Sequence, residues 1–153
     1  MKRVSLLFSL IAMVVMFASC ENGEHNNLPN NPVEKECYIG TMTVDQNDGT
    51  FYTQEDVEVD YEIYDGKLNF VMYKVKFASG MPIKLDMVVE GVDCLGAVGN
   101  YVLAGNGIVP YAMGGPFEKY TITNLIGAIT NKTFSMSFMC GEYPVTYEGT
   151  KKE

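Results

Sequence analysis

Hydrophobic and polar side chains alternate with a period of two along most of the chain after residue 37. Such alternation is typical of β-strands that bury one face. Turn-forming residues interrupt it about every ten residues, which is the spacing of a sandwich or a barrel. The strands predicted between these turns are residues 38–45, 54–64, 67–77, 83–92, 100–104, 119–128, 133–140 and 143–150.

The clearest local feature is a hairpin centred on Asp65-Gly66. A type I′ turn needs positive φ at both central residues, and Asp-Gly tolerates this well. A two-residue loop pairs Ile63 with Leu68 and Tyr61 with Phe70, so that apolar residues face each other. On the first of these two strands, Glu58, Asp60 and Glu62 point to the opposite face, so the register and the expected burial agree.

The alternation changes phase within the third predicted strand. Inward positions are even-numbered up to Met72, whereas the next apolar residues, Val75 and Phe77, are odd-numbered. One extra residue would restore the pattern. We therefore predict a β-bulge at Tyr73-Lys74.

Eight sequential antiparallel strands with short connections predict an all-β fold, an up-and-down barrel that removes exposed edges by closure. A two-sheet β-sandwich is the alternative. We predict no helix inside the domain, because its glycine and β-branched content disfavours one.

The N-terminus is typical of a secretion signal. Lys2 and Arg3 precede an apolar run that is shorter than the roughly 20 residues of a spanning helix. The run ends in Phe17-Ala18-Ser19-Cys20, which resembles a lipobox, the site where signal peptidase II cleaves before a diacylated cysteine. We predict a lipoprotein signal peptide over 1–19, with lipid chains such as palmitate on Cys20 as the membrane anchor.

The segment that follows Cys20 is rich in Asn and Pro and holds almost no apolar residues. It cannot bury enough surface to offset its ordering entropy. Residues 20–36 are therefore predicted to be the acylated cysteine and a flexible tether of about 20–24 Å root-mean-square length. The domain is predicted over 37–153, lipid-anchored to the outer membrane of the cell envelope, on its periplasmic face or exposed at the surface.

Three cysteines remain once Cys20 carries lipid, an odd number for an oxidising compartment. In an up-and-down barrel Cys37 and Cys94 lie at the same end, and Cys140 lies at the opposite end. If a disulfide forms, we expect it between Cys37 and Cys94, although these residues are not on neighbouring strands.

Composition excludes several chemistries. The formal net charge is −8, and Arg3 in the signal peptide is the only arginine, so nucleic-acid binding is not expected. The only histidine, His25, lies in the tether, which leaves the domain without a histidine base for nucleophilic catalysis or a His-Cys metal site. We predict no enzyme activity, no metal and no cofactor.

Two acidic segments invite sharper interpretations. A calcium site or a glycosidase pair could be built from the acidic stretch of Glu55, Asp56, Glu58, Asp60, Glu62 and Asp65. Alternation places Glu58, Asp60 and Glu62 in one outward row, which is typical of a solvated outer face. Residues 45–49 resemble a calcium loop superficially, yet their spacing fits a turn better.

Three motifs are shared with one family. They are Tyr38-x-Gly40-Thr41-x-Thr43-Val44, Gly66-Lys67-Leu68 followed by Phe77-x-x-Gly80-Met81-Pro82-Ile83, and Gly141-x-x-Pro144-Val145-Thr146-x-x-Gly149-Thr150-Lys151. They resemble the calycin-like β-barrel domain of exported lipoproteins of Gram-negative bacteria. The resemblance implies a lipocalin-like barrel, and the better-known calycins bind small apolar molecules.

The connection over residues 105–118 is long, rich in glycine and unusually apolar. It should lie at the barrel end farther from the tether, where it either plugs a filled core or forms a binding lid. The candidate ligand-binding residues are Ile108, Tyr111, Met113 and Phe117, with Met81 from a neighbouring connection.

These observations predict a membrane-anchored, non-catalytic binding module. The first hypothesis is capture of a small apolar or amphipathic ligand at the barrel mouth. The alternative is a protein-interaction, accessory or inhibitory role through the loops or the acidic outer face. The plentiful methionines fit either an adaptable cavity or a filled core.

Overall fold

The computed structural model describes residues 34–153, most of which lie in β-strands. The only helical element in this part of the chain is a short 3-10 turn at Glu118–Tyr120. The strands are β1 (Glu34–Asp45), β2 (Phe51–Tyr64), β3 (Lys67–Val75), β4 (Leu85–Ala97), β5 (Asn100–Gly105), β6 (Tyr111–Ala112), β7 (Gly115–Pro116), β8 (Ile122–Thr130), β9 (Thr133–Cys140) and β10 (Tyr143–Lys151).

The eight long strands form a closed antiparallel barrel in the order β1-β2-β3-β4-β5-β8-β9-β10, with β10 pairing back to β1. Each long strand pairs with its neighbours along the chain, so the topology is up-and-down. The predicted eight-stranded barrel, which matches a calycin-like barrel, is confirmed, and the sandwich alternative is wrong. The small β6–β7 hairpin joins this wall through β4.

The Asp65-Gly66 hairpin has the predicted register. Tyr61 lies opposite Phe70 and Ile63 lies opposite Leu68. Both turn residues have positive φ, 53° at Asp65 and 73° at Gly66, as the type I′ turn requires.

The predicted bulge in β3 is also present. Met72 pairs with Met87 and Val75 pairs with Leu85, so β3 holds one more residue than β4 over this interval. Lys74 takes up the extra length with a φ of 52° and stays exposed, while Met72 and Val75 are both buried. The bulge turns the second half of the apolar pattern back toward the interior.

Further bulges interrupt β2, β4 and β8, and each contains a residue with positive φ: Asp56, Gly91 and Asn124. The bulge at Gly91 explains why β4 continues to Ala97, well past the predicted end at residue 92. One extra residue in β4 turns both Val92 and Cys94 inward.

Some predicted boundaries differ from the structure. β1 begins at Glu34, so Glu34–Glu36, assigned to the tether from sequence, pair with β2 instead. Ile83, the first residue of the predicted fourth strand, precedes β4 and is exposed. Cys20, the predicted signal peptide and most of the predicted tether lie outside the described residues.

An aromatic cluster fills the barrel interior toward the end where β1 begins. The ring of Phe134 meets four others edge-on, with centroid distances of 5.6 Å to Tyr38, 5.9 Å to Tyr61, 6.5 Å to Phe70 and 5.9 Å to Tyr147. Edge-to-face pairs of this kind add to the stability gained from burial alone. Side chains, including those of several buried methionines, therefore pack together in the barrel interior.

Candidate functional site

The long apolar connection after β5 is part of the barrel wall. Ile108 and Ile122 exchange two backbone hydrogen bonds, 3.0 and 2.7 Å long, which tie the connection to β8. Tyr111 pairs with Val88, which ties it to β4. Residues 105–118 thus fill the gap between β4 and β8 beyond the end of β5.

Aromatic side chains close the barrel end beside this connection. The ring of Phe117 lies 4.9 Å from that of Tyr120, which lies 5.4 Å from that of Phe77. The Met81 sulfur accepts a hydrogen bond from the backbone N–H of Phe77. Of the two interpretations of this connection, a plug and a lid, the packing favours the plug.

The five candidate ligand-binding residues separate into two groups. Ile108, Phe117 and Met81 pack against the core, whereas Tyr111 and Met113 are exposed. The structure therefore does not gather the five side chains around one opening. Tyr111 instead belongs to a surface on the outside of the barrel.

That outer surface contains a row of directly paired residues that crosses five strands. Each member lies opposite the next, so all project from the outer face: Cys37, Asp60, Val71, Val88 and Tyr111. The first four members of the row line a groove of about 510 Å³, whose lining also includes Lys35, Glu62, Tyr73, Glu90 and Lys152. Tyr111 continues the row beyond this lining, opposite Val88. We call this surface the outer groove.

The floor and the rim of the outer groove differ in chemistry. Val71 and Val88 give the floor an apolar centre, while carboxylates and lysines surround it. Lys35 pairs with Glu62 at 3.5 Å, and neighbouring pairs join Lys151 to Glu36 and Lys152 to Glu58. Such exposed ion pairs stabilise a fold weakly and rearrange easily when a charged partner approaches.

Asp60 is the polar anchor of the outer groove. The Tyr73 hydroxyl donates a 3.1 Å hydrogen bond to an Asp60 carboxylate oxygen. Burial, and then this hydrogen bond, raise the pKa of Tyr73. Burial, followed by the hydrogen bond and charge of Asp60, raises the pKa of Cys37 to about 11. Cys37 is therefore a protonated thiol at neutral pH, which makes it a poor nucleophile.

The three domain cysteines are all thiols. Cys94 donates its backbone N–H to Gly66, at the end where β1 begins, and Cys140 lies at the other end, as the predicted strand polarity requires. The side chain of Cys37 faces the outer groove, whereas that of Cys94 is buried in the core. The barrel wall separates them, so the candidate Cys37–Cys94 bridge is not formed.

Sequence reasoning did not find Val71, Tyr73 and Val88. They stand at outward positions of predicted strands, where an apolar or aromatic side chain departs from the alternation. That departure was visible in the sequence. The pairing that aligns Val71 with Val88 was not, because it depends on two bulges between β3 and β4.

Within residues 34–153, His, Cys, Asp and Glu side chains form no group of three or more that could hold a metal ion. The same part of the chain contains no helix long and apolar enough to cross a membrane. Carboxylates, lysines, aliphatic side chains and tyrosines line the outer groove.

No protein-family model, curated protein or solved structure matches this chain. The calycin-like resemblance remains a prediction from the sequence motifs.

Proposed function

We propose that this chain is a lipid-anchored, non-catalytic binding module of the cell envelope. In this proposal the outer groove holds an extended segment of a partner protein that carries both basic and apolar side chains. This is the protein-interaction hypothesis drawn from the sequence, now assigned to one surface. The observation that carries it is the paired row from Cys37 to Tyr111, which gives the acidic outer face an apolar floor.

The chemistry of the outer groove supports a segment of that composition. Val71, Val88 and the exposed ring of Tyr111 offer apolar contact area. Asp60, Glu62 and Glu90 offer carboxylates to Lys or Arg side chains. Aromatic residues are enriched in the cores of protein interfaces, and complementary charge increases specificity and association rate.

The packing gives less support to the first hypothesis, capture of a small apolar ligand at the barrel mouth. A ligand entering beside Phe117 would have to separate its ring from that of Tyr120, and buried side chains fill the barrel interior beyond. A native mass spectrum of the purified protein tests this hypothesis directly, because a captured ligand would add a defined mass.

The anchoring part of the proposal rests on the sequence around Cys20. Its test is metabolic labelling with a radioactive fatty acid in a Gram-negative host. The wild-type chain should carry label and sediment with membranes. Cys20→Ser should carry no label and should partition to the soluble fraction after cell lysis.

Selection from a library of displayed random peptides tests the binding part. Peptides enriched on the wild-type chain should combine Lys or Arg with apolar residues. They should lose at least tenfold in affinity for Val88→Lys, which places a cation on the apolar floor. Ile126→Lys, a matched change at an exposed position outside the outer groove, should bind them normally. Equal binding to both variants would contradict the proposal.

A further inference from the structure

A second exposed surface lies where β4 turns into β5. Leu95 and Val102 are directly opposite each other on these strands, with exposures of 75% and 61%. Val98, in the turn between them, is 77% exposed. We call these three residues the apolar patch.

The composition of the apolar patch is unusual for a hairpin tip. Turns generally carry Gly, Pro, Asn, Asp or Ser, and exposed apolar side chains that cluster in this way mark contact sites. The outward row continues from Val102 to Ala128 and Ser135, so its next members are small and uncharged. Charged side chains bound this surface at Asp93, two residues before Leu95, and at Glu148, which pairs with Ser135.

The position of the apolar patch points to what covers it. Cys94, beside Leu95, donates its backbone N–H to Gly66 in the β2–β3 turn. Glu34, the first described residue, pairs with Ile63 in the strand that leads to this same turn. The apolar patch thus lies at the barrel end where residues 1–33 attach.

The length of that attached chain sets its reach. Thirteen residues separate Cys20 from Glu34. Fully extended they span at most about 45 Å, and as a flexible chain they average about 20 Å. A lipid on Cys20 would therefore keep this barrel end close to the membrane and raise the effective concentration of the apolar patch at the lipid surface.

We propose that the apolar patch inserts into the lipid surface that holds the anchor and thereby fixes the orientation of the barrel. This inference rests on the proposed acylation of Cys20. At roughly 3.3 Å per strand residue, all three side chains lie within about 10 Å of the hairpin tip. That distance matches the depth of about 5–10 Å to which interfacial elements bury their apolar faces.

The apolar patch and the outer groove are formed by different residues of the barrel wall. The outer groove is lined by residues of β1–β4 and by Lys152, with Tyr111 of β6 at its edge, whereas the apolar patch lies on the β4–β5 hairpin. A barrel docked through the apolar patch presents the outer groove on another side, where a partner segment has access. Anchor and docking hairpin together leave the barrel less rotational freedom than the tether alone.

The chain contains no tryptophan, so a single introduced indole is an unambiguous reporter. We would place it at Val98→Trp in the acylated full chain, bound to phosphatidylcholine vesicles with brominated acyl chains. Met113→Trp, exposed on the loop at the opposite barrel end, is the matched control. Val98→Trp should show blue-shifted emission and several-fold stronger quenching by bromine, and Leu95→Trp should behave likewise.

Flotation of the vesicles separates docking from anchoring. Protein that floats while positions 98 and 113 are quenched equally would overturn docking and leave the anchor intact. Protein that fails to float would contradict the anchor and with it this inference. A blue shift without vesicles that grows with protein concentration would assign the apolar patch to a second copy. A blue shift that depends neither on vesicles nor on protein concentration would assign the apolar patch to the chain's own N-terminal segment. Either result would overturn lipid docking.

Discussion

The hydroxyl of Tyr147 in β10 donates a 3.1 Å hydrogen bond to the backbone carbonyl of Val57 in β2, and both residues are buried. Gly40 of β1 lies between the two strands and pairs with Val57 on one side and with Gly149 on the other. Burial raises the pKa of Tyr147 above its usual range, so this hydroxyl keeps its proton throughout physiological pH. The bond therefore links β2 to β10 across the intervening strand.

Tyr147→Phe should lower the free energy of unfolding by about 1–3 kcal/mol, because the Val57 carbonyl would lose its donor in the barrel interior. Urea denaturation measures the change. Tyr64→Phe, the same chemical change at an exposed position, should stay within about 0.5 kcal/mol of the wild type. Equal effects of the two substitutions would mean that the buried bond contributes nothing.

Gly40→Ala should destabilise the barrel where β1 approaches β10. A Cβ at Gly40 would lie 2.1 Å from the backbone oxygen of Glu148, a contact that only movement of the strands can relieve. The expected loss is at least about 1–3 kcal/mol, the usual range for an overpacked core. Gly80→Ala is the control, because its Cβ would meet nothing within 4 Å. Thermal denaturation of both variants checks the difference.

The bulge at Lys74 is held by side chains from both neighbouring strands. Gln54 donates a 2.7 Å hydrogen bond to the Lys74 carbonyl, and Asp86 accepts one of 2.9 Å from the Lys74 N–H. Lys74→Gly should change stability by less than about 1 kcal/mol, since glycine adopts positive φ without strain. Lys74→Val should cost about 1–3 kcal/mol, because a β-branched residue does not fit that conformation. If urea denaturation gave the same loss of unfolding free energy for both variants, backbone strain would not be the cause.

The sequence predicted the Lys74 bulge and missed the one at Asn124 for a physical reason. Around Lys74, charged and apolar residues alternate, so a change of phase is visible. Around Asn124 the chain reads Leu125-Ile126, two adjacent apolar residues of which the first is buried and the second exposed. Alternation cannot assign a face to either of them, so the register of β8 could not be read from the sequence.

The outer groove was harder to predict than the barrel. The row from Cys37 to Tyr111 exists only because five strands, far apart in sequence, align in one register. The last step, between Val88 and Tyr111, depends on the two-residue strand β6, which is too short to leave a periodic pattern. Strong local patterns therefore predicted the strands of the barrel, whereas the outer groove depends on pairing between strands that are far apart in sequence.

Thiol chemistry should report the surroundings of Cys37. Alkylation by iodoacetamide requires the thiolate, and the pKa of Cys37 is about 11, so its rate should be low at neutral pH and rise until the pH exceeds that value. Asp60→Asn should move this profile to lower pH, because Asp60 contributes to the shift, although burial is the larger cause. Cys94→Ser and Cys140→Ser together, in both proteins, remove the two buried thiols from the assay. An unchanged profile would show that burial alone sets the pKa.

Phe117→Ala and Tyr111→Ala separate the two roles of the apolar connection over residues 105–118. Phe117 stacks on Tyr120 at the closed barrel end, and its loss should cost about 1–3 kcal/mol, less than a fully buried Phe because its ring is only half-buried. Tyr111 is exposed on the outer face beside Val88, so its removal should leave stability within about 0.5 kcal/mol of the wild type. Peptides selected on the outer groove should bind several-fold more weakly to Tyr111→Ala and normally to folded Phe117→Ala. The reverse pattern, with binding lost only in Phe117→Ala, would move the site back to the barrel mouth.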